Sequence, residues 1–77
     1  MQSILISNPV WGKKNCKIFC NYSLKSLLFK NNIPLLLKEK FKITLHILTK
    51  KEDLEIFRKN IFFKKIPKSV IIKFFFF

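Results

Sequence analysis

The segment 41–58, FKITLHILTKKEDLEIFR, constrains the fold most, because its pattern predicts a buried strand followed directly by a helix. Its apolar residues Ile43, Leu45 and Ile47 alternate with a period of two, so they lie on one face of the strand. The helical part places Leu54 and Phe57 on one inward stripe. A strand that turns into a helix is half of a strand–helix repeat, which favours a parallel sheet.

A helix start is expected at the junction of the strand and the helix in this segment. Thr49 stands at the N-cap position and Glu52 follows three residues later, which predicts a capping box. Such a cap stabilises a helix by about 1 kcal/mol. Glu52 and Glu55 also suit the positive end of the helix dipole. Asp53 is the acidic residue that capping explains least.

The other elements follow from apolar patterns and turn residues along the chain. Asn8-Pro9 ends a short apolar run, and Asn31 is expected to end the first helix in the left-handed conformation. The predicted elements are a strand at 3–7, a helix at 13–29, a helical turn after Pro34, a strand at 41–48, a helix at 50–60 and a third strand at 70–77. The fold class is therefore α/β, with a partial open parallel sheet of two to three strands and flanking helices in the order β-α-α-β-α-β. This is an incomplete Rossmann-like unit.

The chain is short for such a fold, since domains peak at about 100–150 residues. We expect residues 1–61 to be the N-terminal part of an α/β domain. Residues 62–77 form an apolar tail that ends in four phenylalanines. This tail is expected to be either the third strand or the product of a truncation.

The charge of the chain indicates one class of function. The net charge is +12, which favours nucleic acid or an anionic membrane surface as the partner. An AT-rich coding sequence would also enrich lysine, so part of this excess has a mutational explanation. No secretory signal or run of about 18 apolar residues is visible, and a cytoplasmic location is expected.

Few side chains suggest chemistry. Cys16 and Cys20 are four residues apart on one helix face, but they lack the further ligands of a zinc site and are expected to be buried as small apolar groups. His46 falls on the strand face opposite Ile43 and is expected to be structural. With Gly12 as its single glycine, the chain has neither a GxGxxG motif nor a P-loop. No catalytic residue and no metal ligand is predicted.

Three segments together suggest a family. They are Val10-Trp11-Gly12 after the first strand, YSLKSLLFKNNIP at 22–34 and HILT at 46–49. In order and spacing they resemble the N-terminal part of bacterial glycosyltransferase-like proteins with a GT-A-type nucleotide-sugar fold. The resemblance covers roughly residues 3–60. It departs from the family at Lys30-Asn31, where such proteins tend to have Pro-Gly.

The resemblance implies a nucleotide site at the carboxyl end of the sheet. Carried over, it assigns nucleotide binding to Pro9, Val10, Trp11, Gly12 and Thr49. Trp11 would stack on a base or sugar, although it is equally suited to filling the core beside the first helix. The family's acidic metal-binding motif would lie beyond residue 77, so a divalent metal is expected only in a full-length relative.

The function expected from the resemblance is a truncated, glycosyltransferase-like domain that binds a nucleotide sugar and is inactive alone. The alternative is a small basic protein that binds nucleic acid or an anionic membrane surface. A degenerate reading frame without a selected function is a third explanation.

Overall fold

The sheet has three parallel strands in the order β1–β2–β3, and the computed structural model describes residues 2–77. The strands are β1 (Ser3–Pro9), β2 (Lys42–Thr49) and β3 (Ile71–Phe76). Ser3 lies opposite Lys42 in the β1–β2 pair, and Thr44 lies opposite Ile71 in the β2–β3 pair. The predicted α/β fold with a partial open parallel sheet is confirmed, and the third strand is part of it.

The helices lie in the two connections between the strands. They are α1 (Lys13–Ile18), a π-helical segment (Phe19–Leu24), α2 (Lys25–Leu27), α3 (Ile33–Lys38), a 3₁₀ turn (Lys51–Asp53), α4 (Leu54–Lys59) and α5 (Ile61–Lys64). The first three are continuous, so the predicted first helix exists but contains a π turn and ends two residues early. Pro34 lies in the first turn of α3, as predicted. The prediction for Asn31 is wrong, because among residues 2–77 Lys40 is the non-glycine residue with a positive φ.

The two faces of the sheet differ in burial. Both connections move across the sheet in the same direction, from β1 to β2 and from β2 to β3. Right-handed crossovers then place all helices on one face of the sheet. Burial along β2 agrees, because Ile43, Leu45 and Ile47 are fully buried whereas Thr44 and His46 are partly exposed. We call the uncovered side the open face; it comprises Ser3, Leu5, Ser7 and Pro9 of β1, Lys42, Thr44, His46 and Leu48 of β2, and Ile71, Lys73 and Phe75 of β3.

Phe57 of α4 lies at the centre of the core between the sheet and the helices. Its side chain has no exposed surface. The Phe57 ring contacts the rings of Phe19, Phe63 and Phe74, with centroid distances of 6.1, 6.0 and 5.6 Å. Because Phe63 and Phe74 belong to the segment 62–77, this segment packs against the same core as the rest of the chain.

Both cysteines are buried free thiols on the helix side of the sheet, as the sequence predicts. Burial raises the pKa of the Cys20 thiol to about 11, and the neighbouring Cys16 contributes a smaller increase. Burial also raises the pKa of Cys16 from its ordinary value. Both thiols are therefore neutral at physiological pH and poor nucleophiles, because the thiolate is the reactive form.

The raised pKa of Cys20 predicts a loss of stability in alkali. The unfolded thiol ionises near its ordinary pKa of 9.0, whereas the folded thiol stays neutral up to about 11. The stabilisation is therefore complete below pH 9 and is lost as pH rises from 9 to 11, by up to about 3 kcal/mol at about 1.4 kcal/mol per pKa unit. Urea unfolding of the parent and Cys20→Ala between pH 8 and 11 measures this, since lysine effects are common to both. Parallel pH profiles for the two proteins would contradict the prediction.

Candidate functional site

The carboxyl ends of the three strands meet at one edge of the sheet, where ligands bind in open α/β folds. The loop 10–12 follows β1 at this edge. Its Val10 N–H donates a hydrogen bond of 2.8 Å to the carbonyl oxygen of Leu48. On the other side, the Phe77 N–H donates to the carbonyl oxygen of Thr49 over 3.2 Å. These bonds hold the ends of all three strands side by side.

Trp11 lies in this loop beside a shallow cleft. The cleft has a volume of about 180 Å³ and is lined by Pro9, Val10, Trp11 and Asn15. The indole is 47% exposed and meets the Phe77 ring edge-to-face, with centroids 5.2 Å apart. The Asn15 amide donates a hydrogen bond of 3.1 Å to the Trp11 carbonyl oxygen and so fixes the loop to α1. Pro9, Val10 and Trp11, all predicted to bind a nucleotide, therefore line one cleft.

Gly12 is held by a buried carboxylate. Its N–H donates a hydrogen bond of 2.8 Å to Oδ2 of Asp53, which lies at the start of α4. Gly12 also has a φ of 88°, a conformation that glycine adopts without strain. Because Gly12 is the N-cap of α1, Asp53 occupies the helix end where a phosphate would otherwise bind. The N–H of Gly12 therefore already has a hydrogen-bond acceptor within the chain.

Thr49 ends β2 and has no exposed surface. The predicted capping box is wrong, because no side chain caps the 3₁₀ turn or α4. The Thr49 hydroxyl faces the core instead, 3.9 Å from the sulfur of Cys16. Strand alternation explains this, since Thr49 lies on the same face of β2 as Ile47. A nucleotide contact by Thr49 stays a prediction that its burial does not favour.

A larger groove lies on the helix side, between the π-helical segment and α4. It has a volume of about 530 Å³ and is lined by Lys17, Asn21, Glu55, Ile56, Lys59 and Asn60. The Asn60 amide donates a hydrogen bond of 3.0 Å to Oδ1 of Asn21 across it. Single π turns are frequent at functional sites. Sequence reasoning missed this groove, because nothing in the local patterns pairs residues 21 and 60.

Residues 2–77 contain neither a cluster of metal-ligating side chains nor a membrane-spanning helix. These residues contain no group of three or more histidine, cysteine or acidic side chains arranged to hold a metal ion. None of the helices within the same range combines the length and the hydrophobicity that crossing a bilayer requires.

The fold and its sites define an α/β protein with an open three-stranded parallel sheet, a tryptophan cleft at the carboxyl edge and one uncovered sheet face. Comparisons with protein-family models, with curated proteins and with solved structures each found no match to this chain. The glycosyltransferase resemblance therefore stays a prediction from the sequence.

Proposed function

We propose that the chain is a glycosyltransferase-like binding unit, inactive by itself, that takes the base of a nucleotide sugar in the Trp11 cleft. The observation that supports it is a half-exposed indole beside a cleft at the carboxyl edge of a parallel sheet. Aromatic side chains bind bases by stacking, which contributes about 1–3 kcal/mol per base. That the ligand is a nucleotide sugar is inferred from the sequence resemblance.

The size of the cleft sets how much of the ligand it holds. Pockets for whole small molecules have volumes of roughly 300–1,000 Å³, whereas this cleft has about 180 Å³. It suits a base, with the rest of the ligand lying across the neighbouring surface. Lys13 and Lys14 are exposed at the start of α1 and offer cations to a diphosphate. The carboxylate of Asp53 repels phosphate from the N–H of Gly12.

Calorimetric titration with UDP-glucose tests this proposal. We expect saturable binding of UDP-glucose and of UDP, and none of glucose 1-phosphate, because the base supplies the stacking contact. Trp11→Ala is expected to weaken binding by roughly tenfold or more, since 1.4 kcal/mol corresponds to a factor of ten. Because the chain has a single tryptophan, quenching of its fluorescence reports the same contact in the parent protein.

Tyr22→Ala is the matched control, because Tyr22 is an aromatic residue that is 72% exposed on the π-helical segment, away from the cleft. Its affinity for UDP-glucose should equal that of the parent. The proposal fails if UDP-glucose does not bind, or if Trp11→Ala binds as tightly as Tyr22→Ala.

A further inference from the structure

The open face of the sheet carries only positive charge. Lys42 and Lys73 are exposed on it, and no carboxylate belongs to it. The four acidic residues lie elsewhere, in the helical connections: Glu39, Glu52, Asp53 and Glu55. A partner that complements this face in charge is therefore an anion.

Aromatic rings lie next to Lys73. His46 in the central strand and Phe75 in β3 meet edge-to-face, with ring centroids 4.9 Å apart and an angle of 62° between the planes. Phe75 is 46% exposed. His46 lies directly opposite Lys73 in the register, so a cation and two rings occupy neighbouring positions on two strands. This combination suits a ligand with both phosphates and flat bases.

We propose that the open face binds single-stranded nucleic acid, with bases stacking on Phe75 and His46 and phosphates pairing with Lys42 and Lys73. A single strand fits because its unstacked bases are free to meet the rings, whereas the bases of a duplex are not. The open face borders the Trp11 cleft at Pro9, but none of the four residues proposed to bind the single strand lines that cleft.

Two other occupants fit the face less well. A second copy of the chain would bring a second positively charged face against Lys42 and Lys73, with no carboxylate on either face to neutralise them. A bilayer would take apolar side chains, but the centre of the face holds the polar side chains of Thr44 and His46.

Fluorescence anisotropy with a labelled 12-nucleotide oligouridine tests the proposal. We expect binding that weakens with salt, with a slope of about −0.7 for each phosphate contacted. Phe75→Ala should weaken binding roughly 5- to 150-fold, as expected for loss of one stacked base. Lys73→Gln should reduce the salt slope by about 0.7. An unlabelled 12-base-pair duplex should compete poorly.

Matched controls separate a defined surface from diffuse attraction to a basic chain. Phe29→Ala removes an exposed phenylalanine, and Lys30→Gln removes an exposed lysine, both in the first connection and away from the open face. Circular dichroism confirms that each variant is folded. The proposal is overturned if the open-face variants bind like these controls, or if the oligonucleotide does not bind. It is also overturned if sedimentation experiments show that the open face binds phosphatidylserine vesicles or a second copy of the chain.

The proposals for the two sites can be tested independently of each other. Trp11→Ala should leave oligouridine binding unchanged, and Phe75→Ala should leave UDP-glucose binding unchanged. Reciprocal titrations of the two variants therefore assign each ligand to its own surface.

Discussion

Replacing Phe57 by alanine is expected to lower the free energy of unfolding by about 3–5 kcal/mol, the usual cost of removing a fully buried phenylalanine. The loss is large because the ring contacts three other rings, from Phe19, Phe63 and Phe74. A domain of this length has a total stability of roughly 4–12 kcal/mol. The loss is therefore a large fraction of the total, and the variant is expected to unfold at a much lower urea concentration than the parent. Urea unfolding followed by far-ultraviolet circular dichroism measures the change.

Two control variants separate the cavity from the loss of a phenylalanine as such. Phe57→Leu fills much of the space and should cost clearly less than alanine. Phe29 is 62% exposed, so Phe29→Ala should change stability by less than about 0.5 kcal/mol. If Phe57→Ala unfolds at the same urea concentration as Phe29→Ala, the arrangement of the core described above is wrong.

Asp53→Ala is expected to lower the free energy of unfolding by about 1.5–3 kcal/mol and to loosen the loop that contains Trp11. The physical reason is the 2.8 Å hydrogen bond from the Gly12 N–H, since bonds to a charged partner contribute about this much. Removing the carboxylate also leaves a partly buried N–H without its acceptor. The fluorescence anisotropy of Trp11 should fall in the variant, because the loop loses its link to α4.

Glu52→Ala tests whether any acidic residue in this turn would stabilise the fold as Asp53 does. Glu52 is exposed and precedes Asp53 in the same 3₁₀ turn, but it makes no hydrogen bond to the loop. Its removal should have little effect on stability and none on Trp11. Asp53→Asn should be intermediate, because the amide oxygen still accepts a hydrogen bond but without the charge. Equal effects of the alanine variants at 52 and 53 would assign the stabilisation to general charge.

The sheet could be predicted from the sequence because its signals are local. The alternation of Ile43, Leu45 and Ile47 identifies the buried face of β2, and apolar runs identify β1 and β3. The prediction of a capping box was wrong because a contact between residues distant in sequence decides the conformation at Thr49. Thr49 continues the strand and turns its hydroxyl to Cys16, which is 33 residues away. The spacing of Thr49 and Glu52 alone holds no information about that contact.

The candidate sites were predicted in part. The order of strand, loop and helix places Trp11 and Gly12 at the carboxyl edge, and the structure agrees. The pairing of Gly12 with Asp53 joins residues 41 apart, so no local pattern reveals it. The open face follows from strand order, because both connections cross the same side of the sheet. Periodicity within single strands does not specify that order.

The position of Phe57 has a consequence for how the chain assembles. Its ring is enclosed by Phe19 from the first connection, by Phe63 from the second and by Phe74 from β3. Parallel strands pair only after an entire connection has closed, and such distant pairings form slowly. Until β3 docks, Phe57 therefore lacks the Phe74 ring, one of the three rings that enclose it. We therefore expect the burial of this ring to be completed only when the second strand pair forms.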